Sequence, residues 1–186
     1  MTPVVRAQTA VLDLGSGEEA IIGLHVTADV LREATEALPE ETTDLVLLLD
    51  TPGGFFDETP ALAELLARQL PARFNLALVV REASSTGAVI ALAPPTLAIR
   101  HDGFLGGHAP FERLGEIDLD LIESDLEVAL LVAEKCAELG DRPKAVARAL
   151  MKPTPLALDD EGNATNDPLA GEALHDGRET LVLNAR

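Results

Sequence analysis

The chain has 186 residues, of which 47% are hydrophobic, and its formal net charge is −18. The length fits one domain with a substantial core, residues 1–186, and the acidity argues against partners such as nucleic acids and anionic membrane surfaces, which attract clustered Lys and Arg. A single cysteine, Cys136, excludes an intramolecular disulfide. No apolar run reaches the length of a membrane span and no N-terminal stretch resembles a signal peptide, so we expect a cytoplasmic protein.

Apolar strands alternate with helices over the first hundred residues. The predicted strands are Val4–Leu14, Ala20–Val26, Leu45–Leu49, Leu76–Val80 and Thr96–Ile99. The predicted helices are Ala28–Leu38, Pro60–Leu70 and Ala88–Ala93. The last three strands are continuously apolar, which is typical of strands buried on both faces of a parallel sheet. This order predicts an α/β fold of repeated βαβ units with a mainly parallel sheet.

A long stretch without Gly or Pro, Ile117–Leu139, predicts a helix that ends at Gly140. Its apolar residues cover more than one face, which is typical of a helix buried on two sides. In a domain of this size we expect the second side to contact another subunit, so the sequence predicts a homo-oligomer. The alternative is a helix at the centre of the core. A shorter helix, Arg142–Met151, and a tail of loops and strands follow.

Three glycine-containing corners follow the last three apolar strands, and each carries a group suited to acyl transfer. Gly53-Gly54 offers backbone N–H groups that can hold an oxyanion. Ser85 lies at the start of a helix, where a serine can attack a carbonyl if a histidine such as His108 takes its proton. The alternative role for Ser85 is helix capping, and His101 is a rival base.

In this order, the motifs resemble those of the Clp protease proteolytic subunit and its crotonase-fold relatives. DTPGG resembles the oxyanion-hole segment, SSTGA the nucleophile turn, GGHAP the histidine segment and GEALHDG the closing segment. The resemblance covers roughly residues 20–177 and implies a ClpP/crotonase-like fold in which residues 117–139 form the handle helix. It implies Ser85 as nucleophile, His108 as general base, and the N–H groups of Gly54 and Thr86 as the oxyanion hole.

The acid of the triad is where the chain departs from the family's pattern. Counted forward from His108, its place falls near Pro153, where there is no carboxylate. Counted back from GEALHDG, it falls on Asp167. A short insertion around residues 153–163, such as a hairpin, reconciles the two counts and makes Asp167 the predicted acid, ahead of Asp159 and Asp160.

Two other arrangements of the site stay open. In the first, a Ser–His dyad has its imidazole oriented by a backbone carbonyl or by Asn166. In the second, Lys152 replaces histidine as the base, as in the related signal peptide peptidase A group.

The resemblance implies a serine endopeptidase that cleaves peptides or unfolded chains inside an oligomeric chamber, with an ATPase partner left open. The first alternative is a non-catalytic subunit of the same fold, which the displaced acid motivates. The second is a crotonase-type enzyme acting on a coenzyme A thioester, because that superfamily shares the fold and its oxyanion hole. The sequence has neither a zinc-type ligand spacing nor a phosphate-binding loop, so we expect no metal and no cofactor.

Overall fold

The computed structural model describes residues 8–106 and 119–185, with 119–125 described by their backbone alone. Strands and helices alternate in its first part: β1 Gln8–Ser16, α1 Ala28–Glu36, β2 Thr42–Thr51, α2 Thr59–Glu64, β3 Asn75–Ala83, α3 Thr86–Ile90 and β4 Leu97–Gly106. A π-helical turn, Leu65–Gln69, continues α2. Two helices and four short strands follow: α4 Leu119–Leu139, α5 Lys144–Met151, β5 Leu156–Leu158, β6 Ala164–Thr165, β7 Glu172–His175 and β8 Val182–Asn184.

The main sheet has five strands in the order β1-β2-β3-β4-β8. The pairs from β1 to β4 are parallel, and β8 joins β4 antiparallel. The predicted α/β fold with a mainly parallel sheet is therefore confirmed. One face of β2 is fully buried, through Leu45, Leu47 and Leu49, whereas Val46 and Leu48 on its other face are half-buried. Neither face of the strand is therefore fully open to solvent, which explains why its apolar run is unbroken.

The predicted strand Ala20–Val26 is not formed. A 3₁₀ turn, Gly17–Ala20, leads into a tight bend in which the N–H groups of residues 24, 25 and 26 all donate to the carbonyl of Ile21. Gly23 allows this bend because its φ is +79°. Strand-like pairing is limited to two isolated bridges, one between Ile22 and Val26 across the bend and one between Ile22 and Gly54. The segment is therefore a support for the Gly53-Gly54 corner rather than a strand of the sheet.

Strand β4 is longer than predicted and runs on to Gly106. Its polar stretch after Ile99 looks like a loop in sequence, but the chain bulges there and rejoins β3, with Glu82 opposite Phe104 and Ala83 opposite Leu105. The bulge absorbs the extra residues without ending the strand. Strand β4 therefore continues to the same edge of the sheet at which β3 ends.

Helix α4 packs one face on the core and leaves another open. The buried face carries small side chains, namely Ala129, Ala133, Cys136 and Ala137. On the other face, Val128 and Leu131 are 59% and 67% exposed. Within the part of the chain that the structure describes, no helix combines the length and the apolar character needed to cross a membrane.

The tail forms a separate three-stranded antiparallel sheet in the order β6-β5-β7. Strands β5 and β6 are a hairpin that turns through residues 159–163, so the hairpin expected in this part of the chain is present. Asn166 ties it to α5, because its Nδ2 donates to the carbonyls of Ala145 (3.1 Å) and Pro155 (2.9 Å).

Candidate active site

Ser85 occupies the sharp turn between β3 and α3. Its backbone has φ +51° and ψ −125°, an unusual conformation for a residue with a side chain. It stands at the N-cap position of α3, yet its side chain makes no capping hydrogen bond. Ser85 is partly exposed, whereas Ser84 is buried with 5% exposure. The turn therefore presents the hydroxyl of Ser85, and not that of Ser84, for chemistry.

Gly53 lies against Ser85. A Cβ built on Gly53 would be 2.9 Å from the Cβ of Ser85, 3.0 Å from the carbonyl oxygen of Ser84 and 3.4 Å from Ser85 Oγ. Gly53 also has φ +109°, which residues with side chains rarely adopt. Only glycine has no side chain to clash with the serine turn and also adopts this φ readily. Glycine at this position therefore lets the corner lie directly beside the serine turn.

Hydrogen bonds fix Gly53 on both sides. Its N–H donates to Thr51 Oγ1 over 3.1 Å, and its carbonyl accepts from the N–H of Ile22 over 2.9 Å. Thr51 is fully buried, and its hydroxyl donates to the carbonyl of Ala20 over 2.5 Å. The bend after β1 and the end of β2 therefore hold this corner together.

Gly54 is fixed through its carbonyl. That oxygen accepts a 3.0 Å hydrogen bond from Thr86 Oγ1, and the next N–H, that of Phe55, donates to the carbonyl of Ile22 over 2.9 Å. By contrast, the N–H groups of Gly54 and Thr86 donate to no acceptor among the described residues. Two backbone donors beside a serine hydroxyl are what a developing oxyanion needs.

His108 lies outside the described residues. The strand that precedes it in the sequence, β4, is parallel to β3, with Ala83 opposite Leu105. Ser85 comes two positions after Ala83, and His108 comes three positions after Leu105. Both residues therefore follow strands that end at the same edge of the sheet.

The rival bases are placed differently. His101 lies in the bulge of β4 with 91% of its side chain exposed, and its Nδ1 is 3.7 Å from Asp102 Oδ1. Two lysines that the sequence analysis did not propose as bases, Lys135 and Lys144, both pair with Glu138, at 3.3 and 3.8 Å. Lys152, the remaining lysine of the chain, is exposed at the C-terminal end of α5. Among the described residues, none of these four side chains forms a hydrogen bond with the Ser85 turn.

Asp167 is exposed and structures its own turn. Its Oδ1 accepts the N–H of Leu169 over 2.9 Å, and its own N–H donates to Thr165 Oγ1 over 3.2 Å. Its neighbour Asn166 contacts Ala145, at the start of α5. The other end of α5 faces the site strand, because a Cβ built on Gly106 would clash with Leu150. Asn166, the neighbour of Asp167, and the end of β4 therefore contact opposite ends of this helix.

Asp159 and Asp160 belong to the hairpin turn. Asp159 accepts the backbone N–H groups of Asn163 (2.7 Å) and Glu161 (3.0 Å), and the bond from Asn163 contributes most to lowering the pKa of this carboxyl group. Asp160 is exposed. These local hydrogen bonds explain the presence of an aspartate at position 159 without a catalytic role.

Cys136 is not a rival nucleophile. Its thiol is buried in the core face of α4, and burial raises its pKa to about 12. A thiol needs to be ionised to attack, so this one is inert near neutral pH. Among the described residues, no group of three or more His, Cys, Asp or Glu side chains is placed to hold a metal ion.

The sequence analysis missed the hydrogen bonds made by the hydroxyl groups of Thr51 and Thr86. Thr86 was predicted only for its backbone N–H, and Thr51 was not singled out. Both side chains are fully buried and bond to the backbone of Ala20, Gly53 or Gly54. Their spacing carries no signal in one sequence, because the contacts join segments far apart in the chain.

Comparisons with known proteins find no matching family model and no matching curated protein sequence. Among solved structures, the chain is similar to a mutant of the 1510-N membrane-bound stomatin-specific protease, at 14% identity over 85% of this chain and 71% of that chain, with a TM-score of 0.49. A second mutant of that protease, in complex with a substrate peptide, gives 16% identity over 73% and 67%, with a TM-score of 0.47. A peptidase from Plasmodium falciparum gives 6% over 76% and 83%, with a TM-score of 0.43. These likenesses are too weak to assign a function to this chain.

Proposed function

We propose that the protein is a serine peptidase of the Clp type. The observation that carries this proposal is the contact between Gly53 and the turn of Ser85, a partly exposed serine. The next residue of each segment, Gly54 and Thr86, has a backbone N–H that donates to no acceptor among the described residues. The strained backbone of Ser85 supports it, because such strain is concentrated at functional sites and a capping serine does not need it.

The reaction begins when Ser85 Oγ attacks the carbonyl carbon of a peptide bond and His108 takes the hydroxyl proton. Negative charge moves onto the carbonyl oxygen, which accepts hydrogen bonds from the N–H groups of Gly54 and Thr86. The tetrahedral intermediate then collapses, and the amine leaves with the proton that His108 returns. Water, activated by the same histidine, hydrolyses the acyl-enzyme and frees Ser85.

In this mechanism Asp167 orients His108 so that its Nε2 faces Ser85. One oxygen of the Asp167 carboxylate already accepts the N–H of Leu169, and the second oxygen is the one that would accept the Nδ1 proton of the imidazole. Asp167 is exposed and its hydrogen bonds lie within its own turn. If it does not orient His108, the proposed mechanism is a Ser85–His108 dyad.

An extended peptide is the substrate that the corner fits best. It would run beside residues 53–55, where Phe55 is 62% exposed and available as a pocket wall, whereas Phe56 packs partly against the core. We propose a homo-oligomeric, cytoplasmic assembly built in part on the open face of α4, where Val128 and Leu131 are exposed. Such a chamber would take peptides or unfolded chains, with or without an ATPase partner.

The test is labelling of the purified protein with a fluorophosphonate, followed by mass spectrometry of the modified peptide. We expect modification at Ser85, and its loss in Ser85→Ala. Ser84→Ala is the matched control, because it removes a neighbouring hydroxyl that is buried, and it should label like the wild type.

Other outcomes point to the two alternatives. A well-folded wild type that does not label would support a non-catalytic subunit of the same fold. Labelling that persists in Ser85→Ala would place the nucleophile elsewhere. Turnover of acyl-coenzyme A thioesters that survives Ser85→Ala would favour the crotonase-type reaction, which uses the two N–H groups but does not need the serine.

A further inference from the structure

We propose that the side chain of Thr86 is a positioning residue that sets the geometry of the oxyanion hole. This inference rests on the proposed function, in which the backbone N–H of Thr86 is one of the two donors. The same residue also donates from its Oγ1 to the carbonyl of Gly54 over 3.0 Å. Thr86 therefore supplies one donor directly and holds, through its hydroxyl, the residue that carries the other.

The need for such a link follows from the conformation of Gly54. Its φ is +153°, and a Cβ there would clash with the backbone of Ile22, so only glycine fits. Glycine has little rotational preference of its own, so the direction of the Gly54 N–H has to be fixed by the peptide groups on either side. A free hinge at this point would let the donor turn away from the oxyanion.

The peptide group before Gly54 is held by Ile22 and by Thr51, whose Oγ1 lies 3.2 Å from the Gly53 carbonyl oxygen. It is trans, so the Gly53 carbonyl and the Gly54 N–H point in opposite directions. The carbonyl accepts from the N–H of Ile22 over 2.9 Å, which turns the Gly54 N–H away from Ile22.

The peptide group after Gly54 is held from both sides. The N–H of Phe55 donates to the carbonyl of Ile22, and the Gly54 carbonyl accepts from Thr86 Oγ1. Without the hydroxyl of Thr86, Ile22 alone would hold the peptide group after Gly54, and no side chain of α3 would bond to the corner. The Thr86 bond is therefore the link that fixes the spacing between the two donors.

The environment of Thr86 suits this role. Its side chain is fully buried, in the first turn of a helix whose described residues are all buried. Buried hydroxyls are stabilised by making a hydrogen bond, and this one makes its bond to the corner rather than within its own helix. The β-branched side chain has few rotamers, so the hydroxyl is held in place.

The test compares Thr86→Val with Thr86→Ser. Valine keeps the shape and the backbone N–H but removes the hydroxyl, whereas serine keeps the hydroxyl. We expect the maximal rate of fluorophosphonate labelling at Ser85 to fall about ten- to hundredfold in Thr86→Val. This decrease is smaller than the one expected when an oxyanion-hole N–H is lost altogether. The concentration for half-maximal rate should be unchanged, and Thr86→Ser should recover most of the rate.

Hydrogen–deuterium exchange of the peptide that contains Phe55 gives a second readout, which does not require activity. Its protection should fall about tenfold in Thr86→Val and recover in Thr86→Ser. The matched control is Thr59→Val, because Thr59 is also fully buried but its Oγ1 bonds to no described residue. That variant should leave both the labelling and the exchange unchanged.

The outcomes separate this inference from the proposed function. Unchanged labelling and unchanged protection in a folded Thr86→Val protein would overturn the role of the hydroxyl. A wild type that does not label at Ser85 would overturn the proposed function instead. In that case the exchange measurement still decides whether Thr86 holds the corner, and unchanged protection would overturn this inference as well.

Discussion

Replacing Gly53 by alanine tests whether the corner and the serine turn are built as one unit. The new Cβ would lie 2.9 Å from Ser85 Cβ and 3.0 Å from the carbonyl oxygen of Ser84. The second contact is with backbone, so no side-chain rotation relieves it. The φ of +109° adds a strain of about 1–3 kcal/mol for a residue with a side chain.

We expect Gly53→Ala to lower the free energy of unfolding by about 3 kcal/mol in total, from backbone strain together with the displaced serine turn. The matched control is Gly162→Ala. Gly162 also has a positive φ, +82°, but nothing lies within 4 Å of a Cβ built there. Gly162→Ala should therefore lower the free energy of unfolding only by the backbone strain, about 1 kcal/mol.

The assay is urea unfolding followed by far-ultraviolet circular dichroism, since the chain has neither Trp nor Tyr to report by fluorescence. Fluorophosphonate labelling of both folded variants completes it. Gly53→Ala should label at least tenfold more slowly than the wild type, and Gly162→Ala at the wild-type rate. If Gly53→Ala costs no more than Gly162→Ala and labels normally, the reasoning about this contact is wrong.

Three further predictions concern other parts of the molecule. The Nη1 of Arg142 carries two N–H groups and lies within hydrogen-bond distance of three backbone carbonyl oxygens. Arg142→Met should therefore cost about 2–4 kcal/mol in urea unfolding, whereas Arg178→Met, which removes an exposed surface pair, should cost less than about 0.5 kcal/mol; equal costs would contradict this. Sedimentation should show an oligomer that Leu131→Glu weakens and Leu169→Glu, at a 91% exposed loop position, does not; a wild-type monomer would refute it. Asp167→Asn should keep the fold and slow labelling roughly a thousandfold or more, because a wrong imidazole tautomer cannot accept the serine proton. An unchanged rate would leave the Ser85–His108 dyad.

The parts of the fold that follow from local pattern were predictable from the sequence. The apolar runs Leu45–Leu49 and Leu76–Val80 lie within β2 and β3, because a run of this kind is what a parallel sheet buries. The prediction of a strand at Ala20–Val26 was wrong because a bend around Gly23 buries Ala20, Ile22 and Val26 and leaves Leu24 58% exposed. The extension of β4 was missed because its polar residues are accommodated by a bulge, which depends on the register with β3.

The candidate site was predictable where it depends on short motifs. The Gly53-Gly54 corner and the Ser85 turn were identified as motifs, and the structure places them in contact. The bond from Thr86 Oγ1 to Gly54 was not predictable, because it joins residues 32 positions apart. The roles of His108 and Asp167 stay predictions. His108 lies outside the described residues, and the hydrogen bonds of Asp167 are local ones that a turn residue also makes.

The most direct test of the central claim is a crystal structure of the protein after reaction with a fluorophosphonate. We predict a covalent bond from Ser85 Oγ to phosphorus, with a phosphonate oxygen about 2.7–3.1 Å from the backbone nitrogens of both Gly54 and Thr86. An adduct on another residue, or a phosphonate oxygen at Ser85 that points away from both nitrogens, would contradict the account.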